Sequence, residues 1–406
     1  MYFNSYTCSK KNSSSIFVLL INLNAAMNEA LLRQFIDENL LLSLSGLFVL
    51  AIAVNYYFSK KALIISKRKR LFAEVNHRSS HEEPVPAFGG ISFFIVLVAA
   101  ILGIVGLGYS DSISFILLGL FFLFLSGLKD DLIGTSARTK LLVQIATALV
   151  VLLNTDFQIN HLGGFLGIEA LSPTWSLIIS VGFIVFFVNA FNLIDGIDGL
   201  ASLTGMVSLA VFGFLFFLRD NLPLLFISVA LFAALFNFLF FNLAPRRKKM
   251  FMGDTGSLVV GYILSILAIA LIADQPIQPE SDYIPQNAVV FLFSVLVIPI
   301  LDTLRIIVIR LTRGQKPWVA DRNHLHHVLL NCGLSHIQAS AALVGLQIKA
   351  IVIVILINDL GPIALHGYLL CLYLTYSALF LVLSKTTVQK SPTVKKLTWV
   401  LRTLLP

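Results

Sequence analysis

The chain has 406 residues, 57% of them apolar and 12% charged, with a formal net charge of +8 and a mean hydropathy of +0.89. Soluble domains run at about 45–50% apolar and about 25% charged. This composition therefore excludes a common cytosolic enzyme, a disordered chain and a nucleic-acid-binding module, and it specifies a polytopic integral membrane protein.

Residues 1–39 are an N-terminal segment of unassigned status. Ser14–Leu23 is apolar but too short to span, no small-residue cleavage site marks a signal peptide, and Met27 offers a second start. Eleven candidate spans follow, near 40–58, 88–108, 112–128, 140–154, 175–192, 199–218, 223–243, 257–273, 288–311, 337–357 and 362–384. Runs this long fit helices of about 20 residues across the hydrocarbon core, and the alternation of a transmembrane β-barrel is absent. The expected fold is all-α, with about 10–11 transmembrane helices in a domain over 40–384 and a basic cytosolic tail over 385–406. With the N-terminus outside, the inner segments hold 22 Lys/Arg and the outer segments hold four, Lys10, Lys11, Arg33 and Arg219. By the positive-inside rule this sets the N-terminus out and the C-terminus in.

The unusual residues fall on the inner side. Asp130–Asp131 ends the third span; such a pair suits Mg²⁺ with a phosphate, or a base, or else a helix end exposed to water. Arg138 and Lys140 fit phosphate contacts and also fit plain positive-inside anchoring. Asn192, Asp195 and Asp198 recur at i,i+3, which puts them on one face if the helix continues, and three oxygen donors there suit a hard cation. Phe251-Met-Gly-Asp-Thr-Gly-Ser follows four consecutive bases, 246–249, that also suit anchoring to anionic lipid. In it Gly253 and Gly256 permit close approach to a ligand, and Asp254 reads as a helix N-cap or a metal ligand. His324, His326 and His327, beside Asp321 and Arg322, read better as phosphate ligands than as a zinc site, since no nearby Cys or Glu completes a tetrahedron. Charges at a membrane edge need partners, so these loops are expected to converge on one polar site. The three Cys, at 8, 332 and 371, imply no disulfide framework or zinc site.

Over roughly 40–385, these motifs in order resemble the polyprenyl-phosphate N-acetylhexosamine-1-phosphate transferases of glycosyltransferase family 4. The resemblance begins in the first inner loop, 76–90, which contains Arg78 and His81, and includes Pro299-Ile-Leu-Asp302-Thr-Leu-Arg305 before the His motif. It implies that Asn192 and Asp254 hold Mg²⁺, with Mn²⁺ as the alternative ion. Phe251 would stack on uracil, Asp130 and Asp131 would lie near the phosphates, and Asp195 and Asp198 by the nucleotide. His324, His326 and His327 would engage phosphate and sugar. Gly253, Arg138, Lys140, Arg322, Arg78 and His81 would be further substrate contacts.

The implied reaction is attack of a lipid monophosphate oxygen on the β-phosphorus of a UDP-amino sugar, releasing UMP. A lipid phosphate with second pKa near 6 is already ionised at neutral pH, so direct attack needs no base, although an aspartyl-phosphate intermediate is the alternative. The His-Leu-His-His variant favours N-acetylglucosamine over the muramoyl pentapeptide. The competing readings are the phospho-N-acetylmuramoyl-pentapeptide transferase and, in another class, an anionic lipid or sugar transporter. The expected setting is a bacterial plasma membrane with the site on the cytoplasmic face. Polyprenyl phosphate and the bilayer are the expected partners, nucleic acid is not, and a homodimer is admitted.

Overall fold

The computed structural model describes residues 27, 30–71, 85–109, 112–165, 167–273, 287–316 and 324–384. Each of the eleven apolar segments is helical. In chain order the elements are α1 (Leu40–Lys69), α2 (Gly90–Gly106), α3 (Ile113–Ile133), α4 (Ala137–Leu152), β1 (His161–Phe165), β2 (Ile168–Ala170), α5 (Pro173–Ile194), α6 (Leu200–Leu218) and α7 (Leu222–Asn242). They continue with α8 (Gly253–Ala273), α9 (Ala288–Val295), α10 (Val297–Thr312), α11 (Leu325–Asn331), α12 (His336–Leu356) and α13 (Pro362–Ser384). The protein is an all-α polytopic membrane protein.

Among the described residues, eight helices are long and apolar enough to cross a membrane alone, and α9 and α10 reach that length and apolarity only when taken together. α2 and α4 have 17 and 16 residues. At 1.5 Å per residue each is about 25 Å long, short of the ~30 Å hydrocarbon core. The continuous span expected over 288–311 is broken, with an 87° bend between α9 and α10. Pro299 supplies the cause: it has no N–H for the carbonyl of Val295, four residues earlier, and its ring crowds that carbonyl. Gln347 on α12 compensates, its Nε2 donating to Val295 O at 2.7 Å.

The bundle is organised around α8. Of its apolar stretch 94% is buried inside the protein, against 11% for α1 and 17% for α13. α3, α5 and α2 pack directly on α8, while α1 and α13 keep most of their surface for lipid. The starts of α2 and α8 touch through main chain: a Cβ on Gly90 would stand 2.1 Å from Gly256 N. Gly90→Ala is therefore expected to lower the unfolding temperature, since overpacking costs about 1–3 kcal/mol and backbone cannot swing aside. An unchanged melting curve would show that α2 can shift freely. A buried network of Asn55, Ser59, Ser92 and Asn237 ties α1, α2 and α7 together, the kind of polar contact that substitutes for the hydrophobic effect between helices in lipid.

The connections at the far end of the bundle contain one element the composition did not foretell. β1 and β2 pair antiparallel as a small hairpin between α4 and α5, and Asn287 fastens it to the start of α9 by donating to Gly163 O at 2.8 Å. Beside the hairpin and the α9–α10 break lies a cavity of about 230 Å³, lined wholly by apolar side chains that include Leu162, Phe183, Leu292 and Ile300.

Candidate active site

The C-terminal ends of α3, α5 and α7 and the N-terminal ends of α4, α6 and α8 meet at one end of the bundle, and part of the predicted site sits on them. Asp130 and Asp131 occupy the last turn of α3, Lys140 the first turn of α4, Asn192 the last turn of α5, and Asp254 the first turn of α8. Lys140 Nζ donates to Asp130 Oδ2 at 2.7 Å and to Asp254 Oδ2 at 2.5 Å. Asn192 Nδ2 donates to Asp254 Oδ1 at 3.1 Å and to the Ser257 hydroxyl at 2.7 Å. Three helices thus place two carboxylates on one ammonium, and α5 adds Asn192. Arg138 is exposed beside them, and no hydrogen bond or ion pair joins it to the cluster.

Asp131 has a different task from its neighbour. Its Oδ1 accepts the Asp254 N–H at 2.8 Å, and its Oδ2 accepts the Thr255 N–H at 2.9 Å and the Thr255 hydroxyl at 2.5 Å. The amides at a helix start lack intrahelical partners, and here a carboxylate from another helix serves them. Asp254 is consequently not the cap of its own helix; its side chain is turned to Lys140 and Asn192. Gly253 is close to the protein itself, since a Cβ there would lie 2.2 Å from Ala87 O and 2.7 Å from Asp131 Oδ2. Gly256 likewise meets Met252 and Gly90. Both glycines are required by packing in this structure.

The i,i+3 expectation for Asp195 and Asp198 does not hold. α5 ends at Ile194, residues 195–199 form a turn, and Gly199 takes φ +81° to start α6. A break that contains Gly196 and Ile197 separates the carboxylates. Asp195 is half-buried, and loss of solvent around its carboxyl raises it well above the usual carboxylate range, with the charges of Asp254, Asp131 and Asp198 adding to the effect. Asp198 pairs with Lys249, Oδ2 to Nζ 2.5 Å, and its N–H donates to His336 Nδ1 at 3.2 Å.

The His motif adjoins this turn. His326 packs on Gly196, where a Cβ would stand 2.4 Å from its Nε2. Burial holds the His326 imidazole well below its ordinary value, to about 3, so the ring is neutral. Its ring lies 4.2 Å from that of His327 and 5.5 Å from that of His324. His324 Nδ1 donates to Asp302 Oδ2 at 2.6 Å, while Asp302 Oδ1 accepts from Arg305 at 3.1 Å and from Leu325 N–H at 3.0 Å. A carboxylate on Nδ1 fixes the tautomer and leaves Nε2 for other work. Phe251 is half-buried, its N–H donating to Pro86 O at 2.8 Å and its carbonyl accepting from Gly89 at 3.0 Å. Arg78, His81 and Arg322 lie outside the described residues.

In the sequence Lys249 has a part only in the basic run suited to lipid anchoring, Asp302 and Arg305 stand in a resemblance motif without an individual role, and nothing marks a role for His336, Thr255 or Ser257. An Asp and an Arg three apart in an otherwise apolar helix are a legible signal, because intramembrane charges are costly unless paired. Thr255 and Ser257 carry no such signal, since hydroxyls are common in membrane helices.

Residues 113–272, from α3 to the end of α8, match the family described as glycosyl transferase family 4. A probable undecaprenyl-phosphate N-acetylglucosaminyl 1-phosphate transferase of Bacillus subtilis is 31% identical over 262 residues, covering 64% of this chain and 70% of that protein. The chain belongs to glycosyl transferase family 4. It is similar as well to a decaprenyl-phosphate N-acetylglucosaminephosphotransferase of Mycolicibacterium smegmatis, at 30% identity over 71% of this chain and 76% of the relative. An undecaprenyl-phosphate alpha-N-acetylglucosaminyl 1-phosphate transferase of Escherichia coli K12 is 29% identical over 70% and 74%. This family-4 transferase is thus an enzyme of the polyprenyl-phosphate sugar-1-phosphate type, and Asp130, Asp131, Asn192, Asp195, Asp198, Phe251 and Asp254 all lie in the matched region.

Proposed function

We propose that the protein transfers N-acetylglucosamine 1-phosphate from UDP-N-acetylglucosamine to a polyprenyl phosphate of undecaprenyl type, releasing UMP and forming the lipid-linked diphosphate sugar that begins a cell-envelope polysaccharide. The observation that carries this reading is the convergence of Asp130, Asp131, Asn192, Asp254 and Lys140 from four helices at one end of a membrane bundle. The relatives named above supply the sugar and the lipid class. The apolar cavity beside the α9–α10 break supports a place for part of an isoprenoid chain.

The donor set suits Mg²⁺. Among the described residues no three His, Cys, Asp or Glu side chains form a cage, and Mg²⁺ is commonly held by one or two carboxylates with substrate phosphates completing the shell. Asp254 and Asn192 would hold the ion. Asp195, raised by desolvation and then by the charges of Asp254, Asp131 and Asp198, adds a further carboxyl beside this cluster. Bound there, Mg²⁺ would neutralise charge on the diphosphate and the leaving group. Lys140 would hold a phosphate oxygen once substrate separates it from its carboxylates. Asp130 would orient the acceptor phosphate, and Asp131 keeps Asp254 in place through its main chain. His324, fixed at Nδ1, offers Nε2 to a phosphate or sugar oxygen. Phe251, half-buried at the rim, would stack on the pyrimidine, a contact worth about 1–3 kcal/mol per base.

Purified protein given undecaprenyl phosphate, Mg²⁺ and a panel of labelled UDP-sugars is expected to make lipid-linked product from UDP-N-acetylglucosamine with equimolar UMP. Exclusive use of the muramoyl-pentapeptide donor would overturn the sugar, and release of UDP would overturn the reaction class. The inner-leaflet placement rests on the excess of 22 Lys/Arg over four. With Cys8, Cys332 and Cys371 replaced by Ser, Arg138→Cys and Lys248→Cys, both exposed, should react with an impermeant thiol reagent only after the cytoplasmic face is opened. Labelling in intact cells would reverse the topology.

A further inference from the structure

Lys249 stands at a junction. Its Nζ lies 2.5 Å from Asp198 Oδ2 and 5.7 Å from the centroid of the Phe251 ring. The two charged side chains are only 15% and 12% exposed, so water screens the pair weakly. A cation within about 6 Å of a ring centroid attracts the ring face. The main chain beneath the ring is fixed separately, by Pro86 and Gly89.

Asp198 is itself anchored through its backbone. Its N–H donates to His336 Nδ1 at 3.2 Å, and its carbonyl accepts the Ser340 hydroxyl at 2.8 Å. The next residue, Gly199, donates to Asn242 Oδ1 at 2.6 Å, and Asn242 Nδ2 donates in turn to Met250 O at 3.3 Å. A carboxylate gripped from α12 on both sides of its own peptide unit is a fixed post. Lys249 connects the Phe251 ring to that post.

We propose that Lys249 is a positioning residue for the base of the donor: held by Asp198, it sets the Phe251 ring against which the pyrimidine stacks. On this account Asp198 acts through Lys249 and does not touch the reacting phosphorus, in contrast to Asp130 and Asp254. His336 and Ser340 then serve the donor site from α12 by holding Asp198. The inference rests on the uridine-nucleotide reading above and adds to it the residue that orders the stacking surface.

The test uses the full-length enzyme, with UMP affinity measured by calorimetry and initial rates measured against the UDP-sugar. Lys249→Met should weaken UMP binding and raise KM for the UDP-sugar about tenfold, in line with part of a stacking contact. Its kcat should stay within about twofold, because the lost interaction is one made equally before and during reaction. Lys249→Arg, which keeps the charge, should recover most of the affinity. Asp198→Asn should resemble Lys249→Met, and the double variant should be no worse than either, because residues acting as one unit are not additive. Unchanged UMP affinity in Lys249→Met, a fall in kcat at constant KM, or losses that add in the double variant would overturn the inference. Wild-type protein that neither binds UMP nor uses a UDP-sugar would overturn the functional reading, and this inference with it. Wild-type binding retained in full by Lys249→Met removes this inference alone.

Discussion

Asp254→Asn is expected to lower turnover about 100- to 1,000-fold, the scale for losing one group that stabilises developing charge, in a protein that still folds. The argument is geometric. The Asp254 carboxylate faces Lys140 at 2.5 Å and Asn192 at 3.1 Å, whereas the amides at the start of α8 are served by Asp131. An Asn side chain keeps one oxygen at the same place and loses the charge. Raised Mg²⁺ should therefore recover part of the rate, since a hard cation still finds an oxygen ligand there. Asn is as good an N-cap as Asp, so a purely capping residue would tolerate the change. A normal rate with normal Mg²⁺ dependence would remove Asp254 from the catalytic machinery.

Asp131→Ala should do something different: it should lose stability as well as rate. The substitution removes the acceptor for two backbone N–H groups and the Thr255 hydroxyl. Unsatisfied buried donors cost about 1–3 kcal/mol each, and after relaxation and water entry a total of about 2–4 kcal/mol is expected. Thermal unfolding in detergent should show a clear drop in midpoint. Asp131→Asn, with one oxygen remaining, should fall between Ala and wild type. The adjacent carboxylates are thus separable, because Asp130 contacts Lys140 and no helix amide. An Asp131→Ala protein as stable as wild type would mean that the start of α8 finds other partners, and the capping role would be withdrawn.

Much of this arrangement is legible in the sequence, for identifiable reasons. Apolar runs near 20 residues report helices regardless of context, so all eleven segments are found where expected. Acidic and His residues are so costly at a membrane edge that their recurrence next to span ends already points to one site. What is less legible is what depends on which helix ends touch. The capping of α8 by Asp131 requires that the end of α3 abut the start of α8, and no local pattern encodes that. The split of Asp195 from Asp198 turns on whether the helix runs on through Gly196; here α5 ends at Ile194, and Gly199 at φ +81° starts α6. The 87° break was signalled by Pro299, but Pro is often accommodated in membrane helices when neighbours re-satisfy the backbone. Gln347 does so here from a helix some 50 residues later. The β1–β2 hairpin hides in a Gly-rich linker too short to resemble a strand pair.

The Lys140–Asp130 contact has a consequence for how the protein enters the membrane. α4 is the weakest span by length, with 16 residues, and Arg138 and Lys140 stand in its first turn. A Lys or Arg deep in a spanning helix adds about 2.5–3.5 kcal/mol to the free energy of insertion, and less near the end. Only residues 134–136 separate α4 from α3, and the ion pair closes across that turn between positions ten apart. If the two helices leave the translocon as a hairpin, the charge of Lys140 is partnered before it meets lipid, and the strongly apolar α3 carries its neighbour across. Biogenesis and catalysis then make demands on the same ammonium, so a substitution at Lys140 affects how much enzyme reaches the bilayer as well as how fast that enzyme turns over.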